Sequence, residues 1–288
     1  MRTGEEAGYD AVFLPEIAGR DALVTLGALA GETSTLRLAT GILPMDSRNL
    51  LLTAMAAATV QERSGGRAIL GLGTGPAVPG ALERLGSRVR SIRALLAGET
   101  VEHEGRRLSL SLDPGSAVPI WIAALGPRAV RLGGEVADGI ILNWCTPERV
   151  ADARRELTSA AEQVGRDPSK IRIAVYVRAS PTDGPAPDSL RAAASEYASF
   201  PAYARQFQAM GLATEAAAAA AAGRSGRPEE VPEELLRRVC LVGDARASRS
   251  RLQDYREAGA DLPVVYPVSG EAGDRAPLEA TLAALGPV

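Results

Sequence analysis

Short apolar runs alternate with longer stretches whose apolar residues recur about every 3.6 positions. The runs predict strands over residues 11–14, 36–40, 68–72, 119–123, 138–143, 171–178 and 262–265. The periodic stretches predict helices over 21–29, 50–63, 87–96, 128–136, 147–164, 245–258 and 277–285. Strand and helix repeat at intervals of about 30 residues, the pattern of βα units that build a parallel sheet. Residues 188–238 depart from it, with few β-branched residues and an alanine run over 216–222. They read as two or three helices of an insertion within one domain covering 1–288. Residues 101–112 read as a polar hairpin, and 76–85 and 181–187, rich in Pro and Gly, as loops, the second of them mobile.

The stretch around which the chain is organised is Glu62-Arg63-Ser64-Gly65-Gly66-Arg67-Ala68-Ile69-Leu70-Gly71-Leu72-Gly73-Thr74-Gly75. Gly65 and Gly66 can take the positive φ that closes a helix, and Arg63 and Arg67 suit its negative end. The apolar run at 68–72 is too short for a helix and reads as a strand buried on both faces. Gly71, Gly73 and Gly75 then remove side chains from the strand's C-terminal end, where α/β folds bind ligands. This G-x-G-x-G is not a dinucleotide fingerprint, because its glycines lead into Pro76 and Pro79 rather than directly into a helix. It reads as a floor beneath a planar ring.

Composition narrows the function classes. At 288 residues with 46% hydrophobic content, the chain can bury a core the size of a barrel of about 250 residues. A net charge of −3 gives no electrostatic footprint for nucleic acid. No apolar run approaches the roughly 20 residues of a membrane span. Cys145 and Cys240 lie far apart without a C-x-x-C, which fits reduced thiols in the cytoplasm. The single histidine, His103, sits in the polar hairpin and argues against histidine metal sites and Ser-His-Asp triads, so no metal is expected.

"ERSGGRAILGLGTG" after "TLGALAGETSTLRLATGIL" resembles the luciferase-like (bacterial luciferase superfamily) oxidoreductases. "IAALGPRAVRLGGEVADGIILN" resembles their deazaflavin-dependent branch, typified by methylenetetrahydromethanopterin reductase. The resemblance implies a (β/α)8 TIM barrel and hydride transfer between the C5 of coenzyme F420 and a small organic substrate. FMN is the alternative cofactor, as in a luciferase-like monooxygenase, and a cofactor-binding protein without turnover is a third reading. A homodimer is implied as well. Family barrels open with a strand and then a helix that ends in a segment like "EEAGYDAVFLPE". Here that segment begins at Glu5, so the first strand has no counterpart, and either the start lies upstream or the barrel has seven strands.

Candidate site residues follow the strand ends. Glu16 fits a capping carboxylate, and the resemblance places it beside cofactor and substrate as proton donor or orienting group. The family's frequent histidine after it is replaced by Ile17, which counts against oxygen chemistry of the luciferase type. Thr40, Gly41 and Ile42 match the family's cofactor bulge, where the Gly41–Ile42 peptide is expected to be cis. Gly73, Thr74 and Gly75 continue the floor. Ala124, Leu125, Gly126, Pro127 and Arg128 form a strand-to-helix junction whose free N–H groups suit a phosphate. Asn143 reads either as a turn residue or as a hydrogen-bond partner of the cofactor. Cys145 reads as a small buried apolar residue, while Tyr176 and Arg178 share one strand face, facing either core or substrate.

Overall fold

The computed structural model describes residues 2–75, 78–181, 184, 186–268 and 275–287. Pro76 and Ala77 of the first expected loop, and Thr182, Asp183 and Pro185 of the second, lie outside the described residues. The chain divides into two compact units. The first comprises 1–124, 128–141 and 157–171, and the second 125–127, 142–156 and 172–288.

The first unit begins with the short helix α1 (Arg2–Glu6), strand β1 (Ala11–Leu14) and helix α2 (Ala22–Ala30). Asp21 caps α2 by accepting from Val24 N at 2.9 Å, as its place before the apolar period suggests. Strands β2 (Arg37–Thr40) and β3 (Leu43–Pro44) precede α3 (Leu50–Ser64), which Asn49 caps in the same manner. Gly65 ends α3 in the left-handed region at φ 64°, as expected. There follow β4 (Ala68–Gly73), α4 (Ala81–Leu96), the antiparallel hairpin β5 (Val101–His103) and β6 (Arg106–Leu108), β7 (Ile120–Ala123), α5 (Pro127–Val136), β8 (Gly139–Asn143) and α6 (Pro147–Gln163), of which 127, 142–143 and 147–156 fall in the second unit. Parallel registers pair Leu14 with Thr40, Leu38 with Ala68, Leu72 with Ile122 and Ala123 with Ile141. The C-terminal ends of β1, β2, β4 and β7 therefore lie together.

Arg67 ties this arrangement from below. Its guanidinium donates to the carbonyls of Ser64, Leu36, Ala30 and Thr33 and to Thr33 Oγ1, at 2.7 to 3.0 Å. Those groups end α2 and α3 and open β2, so one side chain satisfies carbonyls that two helix ends leave orphaned. The expected affinity of Arg67 for a helix terminus is met at two termini.

Helix α4 begins six residues before the expected start at 87. Ala81, Leu85, Val89, Ile92 and Leu95 are all buried and keep one helical period across Gly86. Gly86 lies within this helix and packs under Leu132, whose Cδ1 would lie 2.9 Å from an added Cβ. The hairpin is also shorter than expected, ending at Leu108.

In the second unit β9 (Arg172–Pro181) is followed by helices α7 (Asp188–Ser199), α8 (Pro201–Ala209), α9 (Ala213–Ser225) and α10 (Glu233–Val239). These are four helices where two or three were expected. The alanine run lies on α9 and buries Ala216, Ala219, Ala220 and Ala222 in a cluster with Leu190, Phe207 and Leu235. Strand β10 (Cys240–Gly243), helix α11 (Ala245–Glu257), strand β11 (Leu262–Pro267) and helix α12 (Ala276–Leu285) complete the unit. β9 runs parallel to both β10 and β11, with Arg178 in register with Cys240 and with Tyr266. The seven strands expected are all present among the described residues, joined by two that were not anticipated, the short β3 and β10. The four residues of β10 carry too little pattern to separate it from the helix before it.

Glu5 fastens α1 to the start of β2. Its Oε1 accepts from the backbone N–H groups of Ser34, Thr35 and Leu36 and from Thr35 Oγ1, at 2.6 to 3.0 Å. These bonds, that from Thr35 N foremost, bring its carboxyl down to about 2 from an ordinary 4.5. A carboxylate lowered on folding stabilises above its unfolded pKa, and that contribution disappears as pH falls through the folded one. Wild type is expected to lose stability between pH 4.5 and about 2 more steeply than Glu5→Gln does. Urea melts of both proteins across that range test this, and identical slopes would remove Glu5 from the acid limb.

Candidate active site

At the shared end of β1, β2, β4 and β7 the backbone carries most of the geometry. Thr40 is fully buried, and its hydroxyl both donates to Gly71 O at 2.9 Å and accepts from Gly71 N at 2.8 Å. The side chain thus continues the pairing of β2 and β4 where β2 leaves the ladder. The Gly41–Ile42 peptide is cis, as the resemblance implied. Gly41 N donates to Leu14 O, and Glu16 N donates to Ile42 O at 3.2 Å. Ile42 lies against Gly73: a Cβ there would sit 2.5 Å from Ile42 Cδ1 and 3.5 Å from Ala123 Cβ. At Gly71 it would sit 2.1 Å from Thr40 O. The floor at this strand end is thus Ile42 packed over buried Gly73 beside Ala123, with the Thr40 carbonyl filling the space next to Gly71. Thr74 is half-buried, and Gly75 turns the chain at φ 67°.

Glu16 stands at the edge of this floor in a bidentate pair with Arg48, Nε to Oε1 and Nη2 to Oε2, both 2.9 Å. Ala22 N also donates to Glu16 Oε2 at 3.1 Å, and Arg48 Nη2 reaches Asp21 Oδ2 as well. The hydrogen bonds from Arg48 hold the Glu16 carboxyl below the usual carboxylate range. Arg88 from α4 donates to the carbonyl of Arg48, and burial lowers its pKa. Ser47 Oγ donates to Glu16 Oε1 at 3.5 Å, so Glu16 is an ionised group fixed by four donors.

The junction after β7 divides between the units. Ala124 N donates to Ile141 O at 3.0 Å, and the Arg128 side chain, largely exposed, pairs with Glu83 at 3.1 Å. The N–H of Arg128, in the first turn of α5, is one of those a helix leaves unsatisfied. Leu125, Gly126, Pro127 and Asn143 belong to the second unit. Leu125 O accepts from Arg149 Nη2 at 3.4 Å, and a Cβ on Gly126 would meet nothing within 4 Å.

Asn143 has its amide committed within the second unit. Oδ1 accepts from Arg178 Nη1, and Nδ2 donates to Tyr203 Oη at 2.8 Å. The next residue, Trp144, is fully buried at φ 50°, a conformation uncommon for a bulky side chain. Gln206 Nε2 holds this turn by donating to the carbonyls of Asn143 and Trp144 at 2.8 and 2.7 Å. Tyr176 and Arg178 do share a face, since both meet the Tyr266 ring. Cys145 is buried, and burial pushes its thiol up to about 12, which suits packing rather than nucleophilic chemistry. Cys145 and Cys240 are both free thiols. His103 lies half-exposed in the hairpin, 3.8 Å from Glu104.

The model of the family described as luciferase-like monooxygenase matches residues 1–262. The chain belongs to the luciferase-like monooxygenase family. Within it, the chain is 32% identical over 191 residues to a 5,10-methylenetetrahydromethanopterin reductase of Methanolobus tindarius, covering 61% of this chain and 58% of that protein. It is 42% identical over 79 residues to a putative coenzyme F420-dependent oxidoreductase of Mycobacterium tuberculosis, covering 27% and 23%. The matches thus span less than two thirds of either curated relative. Among solved structures it resembles the coenzyme F420-dependent tetrahydromethanopterin reductase of Methanopyrus kandleri, with a TM-score of 0.75 and 19% identity over 99% of this chain and 91% of that one. That likeness establishes the fold as the luciferase-like α/β barrel type named from sequence. Among the described residues, no group of His, Cys, Asp and Glu is arranged to hold a metal, and no helix is long and apolar enough to cross a membrane.

Arg48 and Arg88, which the sequence reading passed over, bind the luciferase-like chain's site edge together. Neither belongs to a motif, and each reaches its partner across more than 30 positions of sequence. The floor itself yields a sharp test. Gly71→Ala meets backbone and is expected to cost about 3 kcal/mol or more, whereas Gly73→Ala meets one flexible side chain and costs about 1–3 kcal/mol. Ile42→Ala should recover part of the second loss and none of the first. Denaturant melts of the single and double variants measure this, and equal recovery in both would refute the assignment of the two contacts.

Proposed function

We propose that this chain is an F420-dependent oxidoreductase acting on a small organic acceptor, such as a C=C or C=N bond or the reverse. The reading is carried by the match of the luciferase-like family model over residues 1–262; a planar ring would rest at the shared strand ends, where Ile42 packs over buried Gly73. The choice of the deazaflavin over FMN draws on two of the similar proteins described above, which carry coenzyme F420 in their names. When bound, the deazaflavin supplies hydride transfer at its C5. The residues that would hold it in the first unit are Thr40, Gly41, Ile42, Gly73, Thr74, Gly75, Ala124 and Arg128. Ile42, backed by Gly73, would support the ring face, and the first-turn N–H of Arg128 would meet an anionic tail.

Glu16 takes the orienting role in this proposal rather than that of proton donor. Its carboxyl is lowered by Arg48, so near neutral pH it has no proton to give. A fixed negative charge at the floor's edge is suited to holding a polar substrate group in place without reorganising. Ile17, in place of the family's frequent histidine, leaves that position without a titrating group, which favours hydride chemistry over the oxygen chemistry of the family's monooxygenases.

Titration with F420 and with FMN, following cofactor fluorescence, tests the cofactor. Binding of F420 in preference to FMN is the expected outcome. Preference for FMN, with oxygen uptake, would replace the proposal by a monooxygenase. Glu16→Gln is expected to lower turnover by about 100-fold while leaving cofactor affinity nearly unchanged. Undiminished turnover in single-turnover assays would end the role of Glu16.

A further inference from the structure

The second unit buries a cation in unusual company. Arg178 is only 5% exposed, and the centre of its guanidinium lies 4.6 Å from the Trp144 ring, 5.0 Å from Tyr197 and 4.7 Å from Tyr266. Its one hydrogen bond among the described residues runs from Nη1 to Asn143 Oδ1, and no described carboxylate forms an ion pair with it. Arg149, the other buried arginine among the described residues, is paired with Glu156. A guanidinium carries five N–H donors and keeps its charge, so removing it from water with one acceptor and three rings leaves most of its donors to be met. Trp144 adds a second orphan, for its Nε1 is buried without a hydrogen-bond partner. A charged fork and an indole N–H thus belong to one aromatic cluster. Gln206 holds the Trp144 turn in place from the backbone side.

We infer that Arg178 and its aromatic surround form a binding site for an anionic oxygen group, a carboxylate or phosphate of a small molecule. The guanidinium offers the remaining donors of its fork in the planar geometry such groups match. Trp144 and Tyr197 hold the guanidinium from within, and Tyr266 supplies ring surface for the carbon skeleton that bears the group. Tyr266, 37% exposed, is the wall nearest solvent. Two molecules could bring such a group, an organic substrate or the acidic tail of a cofactor, and the chemistry recognised is the same. This site goes beyond the redox reading and does not rest on it.

The test uses the full chain with benzoate, inorganic phosphate and benzamide as probes, followed by tryptophan fluorescence, in which Trp144 reports directly. Benzoate or phosphate is expected to give a saturable change, with benzamide, the neutral isostere, giving none at equal concentration. Arg178→Gln should weaken the anion's midpoint by about tenfold or more. Repeating the titration with F420 present separates the two sources. A midpoint that F420 leaves unchanged assigns the site to substrate, and one that rises with F420 assigns it to the cofactor's acids. Equal responses to benzoate and benzamide, no response to either anion, or undiminished binding by Arg178→Gln would overturn the inference. The benzoate and benzamide comparison needs only wild type, so it decides the matter even if the variant does not fold. Failure of F420 to bind would leave the anion titration readable, so the two proposals fail separately.

Discussion

The first unit depends on the absence of a side chain at Gly71. There β2 comes so close that the Thr40 carbonyl oxygen occupies the space of a Cβ, and the Thr40 hydroxyl takes both backbone hydrogen bonds of Gly71. Two strands are held together by a side chain because one of them is about to leave the sheet. Its departure carries Gly41 and Ile42 across the end of β4, where Gly73 again has no room for more than hydrogen. Close packing of that loop on β4 is the consequence, and its position at the strand ends follows from the parallel registers. Arg67 secures the opposite end by gathering the carbonyls at the ends of α2 and α3.

The two units treat buried positive charge in opposite ways. Arg48 meets two carboxylates and a geometry that leaves little unsatisfied, which raises its pKa and holds Glu16 ionised. A bidentate pair of this kind is rigid, and rigidity is what an orienting group requires. Arg178 is surrounded instead by ring faces, which attract a cation without consuming its N–H groups. The first arrangement is complete within the chain, and the second is a set of donors awaiting acceptors. Structure alone can be stabilised by the first kind; retaining the second imposes a desolvation cost that a bound anion offsets.

What could be read from sequence follows the range of the interactions concerned. The αL closure at Gly65, the cap at Asp21 and the glycines of β4 act within a few residues, so their spacing displays their role. Helix α4 starts before the expected 87 because residues 81–85, read as part of a Pro- and Gly-rich loop, keep its apolar period, and Gly86 makes room for Leu132, 46 positions away. Strand β10 escaped notice because four residues between two helices give neither alternation nor a long apolar run. Asn143 and Arg178 were singled out separately, and nothing in a strand pattern reveals that a side chain 35 positions distant accepts from the guanidinium. Arg48 and Arg88 are ordinary polar residues in sequence. They come together only when the loop after β3 and the helix after β4 fold over the same strand end.

The ionisable groups themselves constrain the chemistry. Glu16 is held as a carboxylate, while burial raises the thiols of Cys145 and Cys240 and the phenol of Tyr203 to about 12. The one histidine belongs to a polar hairpin. Among the described residues of these clusters, then, the acids are ionised and the weak acids neutral throughout the physiological range. Such a surface can orient, exclude water and fix charge, but it offers little proton exchange of its own near pH 7. Hydride chemistry on a bound cofactor matches that inventory, because the cofactor provides the reacting bond and the protein needs only to place it against an acceptor. Oxygen activation would ask for more, since its intermediates require managed protonation. The replacement of histidine by isoleucine after Glu16 and the salt-bridged state of Glu16 therefore lead in the same direction, one through composition and the other through geometry.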